Sequence, residues 1–272
     1  MAASSADSPA LLAALYLEAV LPAIPLLAAC DASMASMLEG SDFAVVFSTV
    51  GHLRARLEIQ GNTCSATKGA EAIGRPGDLH LWFPSAAQVV RAFDGRHRFA
   101  LALPVGGWHR LPQTRRIAAA GNRLEVLLNC RPAPAAPDLA LHAWGRLAVA
   151  LAASASWLRH HPKGPDTRAR LGTGIATFDC PAFPAKLWIN LDKLTTGSGP
   201  LPAQAEAVVG IVFADLDTVL AELDHRLDAP AAIGLGTLRL TGKVPLAESL
   251  GLILLKVGKL LQPPPAVLPL PL

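Results

Sequence analysis

Several kinds of chemistry are missing from this chain of 272 residues, and each absence removes a class of function. Neither a Walker phosphate loop nor a complete GxGxxG is present, and the Gly pairs Gly172/Gly174 and Gly234/Gly236 stand alone, so a nucleotide cradle has no sequence basis. There is no GxSxG nucleophile elbow and no HExxH or HxH spacing among the eight histidines. The four cysteines, Cys30, Cys64, Cys130 and Cys180, form no CxxC pair; they suit buried thiols in a reducing, cytoplasmic compartment. Aromatic residues are only 5% and do not interleave with basic ones, which argues against stacked nucleic-acid bases. No Lys or Arg precedes Arg54, so a signal peptide would lack its positive region. No catalytic residue, metal ligand or cofactor site is expected.

What the chain does have is apolar mass. Hydrophobic residues make up 51% and charged residues 17%, with Ala, Leu and Val dominant. That suits either an ordinary small-residue core or a scaffold around a cavity. The apolar stretch Pro9–Cys30 contains Glu18 and is interrupted by Pro22 and Pro25, which predicts two short helices packed on protein, Pro9–Leu21 and Leu26–Leu38, rather than a membrane anchor. Positive charge collects in one place. Eight arginines between Arg91 and Arg131 face only Asp94 and Glu125, a surface suited to peripheral contact with an anionic membrane or simply to solvent.

The chain also repeats itself. Leu79–Gly95 and Val209–His225 both run from an apolar strand through an N-cap into an amphipathic helix. Phe83 matches Phe213, Val89 matches Val219 and Asp94 matches Asp224, all 130 residues apart, a period that fits tandem domains rather than a solenoid. Around these segments, strands are predicted at Phe43–Val50, Leu53–Gln60, Leu79–Phe83 and Phe99–Leu103, with helices over Ser85–Phe93 and Thr114–Asn129. Ser85 and Gln88 match a capping box, and Gly95 is placed to stop the helix. In the second half, a long helix at Leu139–His160 precedes a loop at His161–Asp166 and strands at Gly174–Phe178, Lys186–Leu194 and Ala207–Phe213. A helix at Leu216–Leu227, a return through Ala231–Leu240 and a last helix at Leu246–Leu261 complete it. The Pro-rich run 132–138 reads as a linker and 262–272 as an extended tail, giving units 1–131 and 139–261. Antiparallel strands with helices to one side describe an α+β layer architecture.

The run VVGIVFADLDTVLAELDHRLDAPAAIGLGTLRLTGKVPLAESLGLILLKVGKL resembles the sterol carrier protein type 2 family over roughly Gly172–Leu260. It shares that family's strand, N-cap, short helix, Gly-x-apolar-x-apolar-x-Gly strand and apolar final helix. The first half resembles it over roughly Asp42–Asn129, with Gly106, Gly107 and Trp108 departing from the strand pattern. The resemblance implies two tandem units, each a twisted, mainly antiparallel sheet covered by helices on one side, with an apolar tunnel that binds sterol, fatty acyl or isoprenoid lipid without chemistry.

The ligand-lining residues expected are Phe83, Val89, Val90 and Phe93 in the first unit and Phe213, Val219, Leu220, Leu223, Leu250 and Leu254 in the second. Two other readings fit the same letters. One is a scaffold with filled units in a lipid-biosynthetic complex. The other is an enzyme on a hydrophobic substrate with His80, His109 or Asp192 converging.

Overall fold

The computed structural model describes residues 8–261 apart from 41, 52, 62, 95–99, 130–135 and 204. The sequence readings at His52, Asn62, Gly95, Arg96, His97, Arg98, Phe99, Cys130, Arg131, most of the linker and the 262–272 tail lie outside these residues.

The chain begins with α1 (Pro9–Leu15), capped by the Ser8 hydroxyl, and runs through a π-helical stretch, Tyr16–Val20, towards α2 (Ala23–Ala28). The expected break at Pro22–Pro25 is only a turn at Leu21–Pro22 that keeps helical backbone angles. Pro22 has no N–H to donate, and the turn before it widens so that the Leu21 N–H reaches the Tyr16 carbonyl at 2.9 Å. The chain breaks instead before Asp31, whose carboxylate caps α3 (Ala32–Leu38) at the Ser33 N–H.

β1 (Phe43–Thr49), β2 (Arg54–Gln60), β3 (Thr63–Lys68) and β4 (Leu79–Phe83) follow, then α4 (Ala86–Phe93), β5 (Leu103–Gly106) and α5 (Thr114–Asn129). The second half has α6 (Ala136–His160), α7 (Gly164–Leu171), β6 (Ile175–Asp179), β7 (Leu187–Asn190), β8 (Thr195–Ser198) and β9 (Ala207–Phe213). It closes with α8 (Leu216–Leu223), α9 (Ala229–Leu235), β10 (Leu238–Gly242) and α10 (Val244–Leu261). α6 begins inside the expected linker, at Ala136.

The result is an α+β protein with two five-stranded sheets covered by helices. Their orders, β3-β2-β1-β4-β5 and β8-β7-β6-β9-β10, are the same when the strands of each half are numbered from its own start. In each sheet one central pair is parallel, β1 with β4 and β6 with β9, and the rest are antiparallel.

The same backbone device closes both last strands. Gly107 (φ +66) follows β5 and Gly242 (φ +79) ends β10. A Cβ on Gly107 would lie 2.3 Å from the Asp78 carbonyl oxygen, and one on Gly242 2.2 Å from that of Val208, so both need the left-handed backbone and the missing side chain. Gly107, which looked like a departure from the pattern, is thus the counterpart of Gly242.

Other differences from the sequence reading have local causes. β3, β8, α7 and α9 were not expected as elements. β3 and β8 are polar edge strands with no apolar alternation to reveal them. α9 carries its own signals, an Asp228 cap to the Ala231 N–H and Pro230 in its first turn. The capping box at α4 does not close. Ser85 makes no side-chain cap, and the Gln88 side-chain oxygen accepts from the Leu101 N–H instead. The charged face of β2 is not solvated throughout: Arg56 is buried, held by Asp78 at 2.9 Å and by Glu58. Cys30 is exposed rather than buried; burial pushes the Cys64 thiol up to about 12.

Pro9–Ala28 has the length and mean hydropathy (2.0) of a membrane span, yet much of it packs inside the protein against α6. Glu18 is the polar point of that contact and is 2% exposed. Its carboxylate accepts from Arg159 and from His160 Nε2 (2.9 Å), while Lys68 Nζ reaches its backbone carbonyl. Burial would raise its pKa, but the His160 hydrogen bond and the charges of His160, Arg159 and Lys68 hold it below its ordinary 4.5. A carboxyl with a depressed folded-state pKa contributes stability above its unfolded value and loses it as pH falls through the folded one.

Two outcomes are expected. Gly107→Ala and Gly242→Ala each lose about 1–3 kcal/mol, read as a lower thermal midpoint, while Gly40→Ala, left-handed but in open space, loses less. Glu18→Gln loses about 2–3 kcal/mol in urea unfolding at neutral pH, and its difference from the parent shrinks as pH falls below about 4.5.

Candidate functional site: an apolar cavity in the seam between the halves

On β1 and β4 the side chains alternate between two faces. Val45, Phe47, Leu81 and Phe83 point to the helical side, where a cavity of about 760 Å³ opens above them. That volume lies within the range of about 300–1,000 Å³ typical of small-molecule sites. The first half adds Tyr16, Val20 and Ile24 from the N-terminal helical segment, Phe93 from α4, and Ile117, Gly121 and Leu124 from α5. The second half adds Arg146, Val149 and Ala150 from α6, Glu222 and Leu223 from α8, and Leu254 and Leu255 from α10.

These positions are related by the repeat. Tyr16 and Arg146, Val20 and Ala150, Ala92 and Glu222, Phe93 and Leu223, Leu124 and Leu254, and Leu128 and Gly258 all line the cavity and stand 130 residues apart. Equivalent helices of the two halves therefore face each other across it. The sheets break the symmetry, because the lining strands come from the first half alone. The interior of the second half holds Trp144, 1% exposed with its indole N–H on the Ala185 carbonyl at 2.7 Å, at the position of Ala14.

The expected lining residues divide. Phe83, Phe93, Leu223 and Leu254 reach the cavity. Val89, Phe213, Val219, Leu220 and Leu250 are buried in the surrounding packing, and Val90 is half-buried; none of these six is part of the wall. Sequence reasoning missed Tyr16, Phe47, Arg146 and Glu222. Phe47 shared a strand face with Val45, and Tyr16 is the chain's single tyrosine, set in an apolar helix. Those were the available signals. Arg146 and Glu222 carried none, since only the facing of the halves brings them in.

One side of the wall is aromatic. Tyr16 stacks on Phe93 with ring centroids 5.9 Å apart, and Phe47 meets the same ring edge-on at 6.0 Å. The other half supplies the polar groups. Arg146 donates to Asp224 at 2.8 Å. Burial alone would raise the Asp224 pKa, but the Arg146 hydrogen bond and the Arg146 and Arg226 charges hold it low. Burial pushes the Glu222 carboxyl up and the His225 imidazole down.

Elsewhere, Ser48 and His80 lie on the sheet face away from the cavity, with Oγ and Nε2 2.6 Å apart. Asp192 is in the second half, where it accepts from the Gly174 N–H. Among the described residues no group of His, Cys, Asp and Glu side chains is arranged to hold a metal ion.

No protein-family model matches the chain, and no curated protein does. Parts of it are similar to solved structures. One is sterol carrier protein 2 from Yarrowia lipolytica in its apo form, at 14% identity, covering 41% of this chain and 91% of that one with a TM-score of 0.34. Another is a ubiquinone synthesis protein titled UbiJ-SCP2, at 17% identity, 38% and 87% coverage and a TM-score of 0.31. A third is palmitated SCP2L2 from Aedes aegypti, at 19% identity, 33% and 88% coverage and a TM-score of 0.26.

The cavity makes a test available. A Cβ on Gly121 would meet nothing within 4 Å. Gly121→Leu therefore fills the space while replacing a helical glycine, and is expected to keep or raise stability by up to about 1 kcal/mol. The same variant is expected to lower the uptake of an apolar dye such as Nile red at least several-fold in a fluorescence titration.

Proposed function

We propose that this protein binds a hydrophobic molecule of the sterol, fatty-acyl or isoprenoid kind, without chemistry, and carries or presents it to membranes or enzymes. The supporting observation is the cavity between the halves, walled by aliphatic and aromatic side chains. In this reading the chain is two copies of one sterol-carrier-like unit, 1–131 and 139–261, working in the cytoplasm. It holds one ligand per chain, because the wall takes helices from both copies.

The energetics suit exchange. Burying about ten methylenes at roughly 0.8 kcal/mol each offers about 8 kcal/mol. Ordering the guest offsets part of that, which leaves about micromolar binding or weaker.

The surface beside the cavity fits delivery. Ala100 and Ala102 line the cavity, while the alternate residues Leu101, Leu103 and Val105 are exposed, as is Trp108. Exposed apolar side chains next to the arginine-rich stretch Arg91–Arg131 suit peripheral contact with an anionic bilayer. The stretch is not all available charge. Arg123 is tied to Asp31 and Asp138, and Arg110 donates to the Asp42 carbonyl.

Extraction and mass spectrometry of the purified chain test the main claim, with co-purifying lipid expected at about one molecule per chain. Repeatedly clean protein that takes up no lipid probe would refute it and favour the scaffold reading. Sedimentation with vesicles tests the surface. Binding to phosphatidylserine vesicles is expected to fall with added salt and to weaken at least several-fold in Trp108→Ala/Leu103→Ser; binding indifferent to both would remove the membrane contact.

A further inference from the structure

The charged groups of the cavity are few. Glu125 and Glu222 line it, and among the described lining residues Arg146 is the one Arg or Lys. Arg146 is already committed to Asp224 at 2.8 Å, with a longer contact to the Leu223 carbonyl. His225, also at the wall, is held towards its neutral form by burial.

Glu222 is half-buried, where Glu125 is exposed. It projects from α8 over α10, where Gly251 leaves room: a Cβ there would sit 3.9 Å from Glu222 Oε1. No donor among the described residues bonds to its carboxylate, and burial raises its pKa with no cation to oppose the effect. An incoming carboxylate or phosphate would find one cation, Arg146, its charge already offset by Asp224, and would meet the like charge of Glu222 in a partly desolvated space. An incoming hydroxyl would find an acceptor with no protein donor on it among the described residues.

We infer that the seam selects an uncharged amphiphile ending in a hydroxyl, against anionic lipids, and that Glu222 is the residue that sets this choice. The inference rests on the lipid-binding reading above and narrows its ligand class. The aromatic wall of Tyr16, Phe47 and Phe93 on the other half takes the apolar body, leaving the polar end to the acidic side.

The test uses the delipidated full chain with Nile red, displaced by 1-hexadecanol or by hexadecanoate at neutral pH. Hexadecanol is expected to displace the dye at a concentration at least about tenfold lower, a difference of about 1.4 kcal/mol. Glu222→Gln is expected to close most of that gap by improving hexadecanoate, and Glu222→Lys to reverse it. Equal displacement by the two lipids in the parent chain overturns the inference and leaves lipid binding standing. A gap that Glu222→Gln does not change, with dye binding intact, does the same. A parent chain that binds neither dye nor lipid overturns both.

Discussion

The structure depends on the packing of two helical segments against each other. α6 is buried on nearly every side, through Ala143, Trp144, Leu147, Leu151, Ala153, Ala155 and Trp157 among others. A helix apolar all round needs a neighbour on each face. The segment Tyr16–Val20 is one of those neighbours and α2 is another, which comes close at Gly145: a Cβ there would lie 3.1 Å from the Leu27 side chain. Glu18 fixes the pairing at its polar point, since its carboxylate bonds to Arg159 and His160 and lies too deep for water to replace them. Removing either segment would expose a helix with no solvated face. The sheets then hang on this pair from either side, and Arg123 ties α3, α5 and the start of α6 together through Asp31 and Asp138.

Much of the scaffold was legible in the letters because it is repeated. Phe83 and Phe213, at 2% exposure each, and Val89 and Val219, fully buried, occupy matching places, and Asp94 and Asp224 both cap the ends of their short helices. Alternation in Arg54–Gln60 located a strand because Ala55, Leu57 and Ile59 are all buried. Edge strands were invisible for the converse reason: Thr63–Lys68 and Thr195–Ser198 bury no continuous face, so no pattern was needed to form them.

The site was legible only in part. A periodic stripe on α4 or α8 identifies what is buried, and Val219 is as buried as any residue in the chain. It cannot distinguish a side chain packed on protein from one facing empty space. That distinction arises from how the two halves face each other, which no local pattern encodes. Arg146, at the position of Tyr16, shows where the halves differ: the first stacks a ring on Phe93 and the second sets a guanidinium against Asp224.

The framework is built twice, while the apolar cavity takes its wall from both halves. A chain severed within 130–135 would leave each fragment with only part of the wall, so the cavity is a property of the joined halves. Any motion that parts the halves would open the cavity and strip apolar contact from both at once. Opening the seam and loosening the protein are, in that sense, a single event.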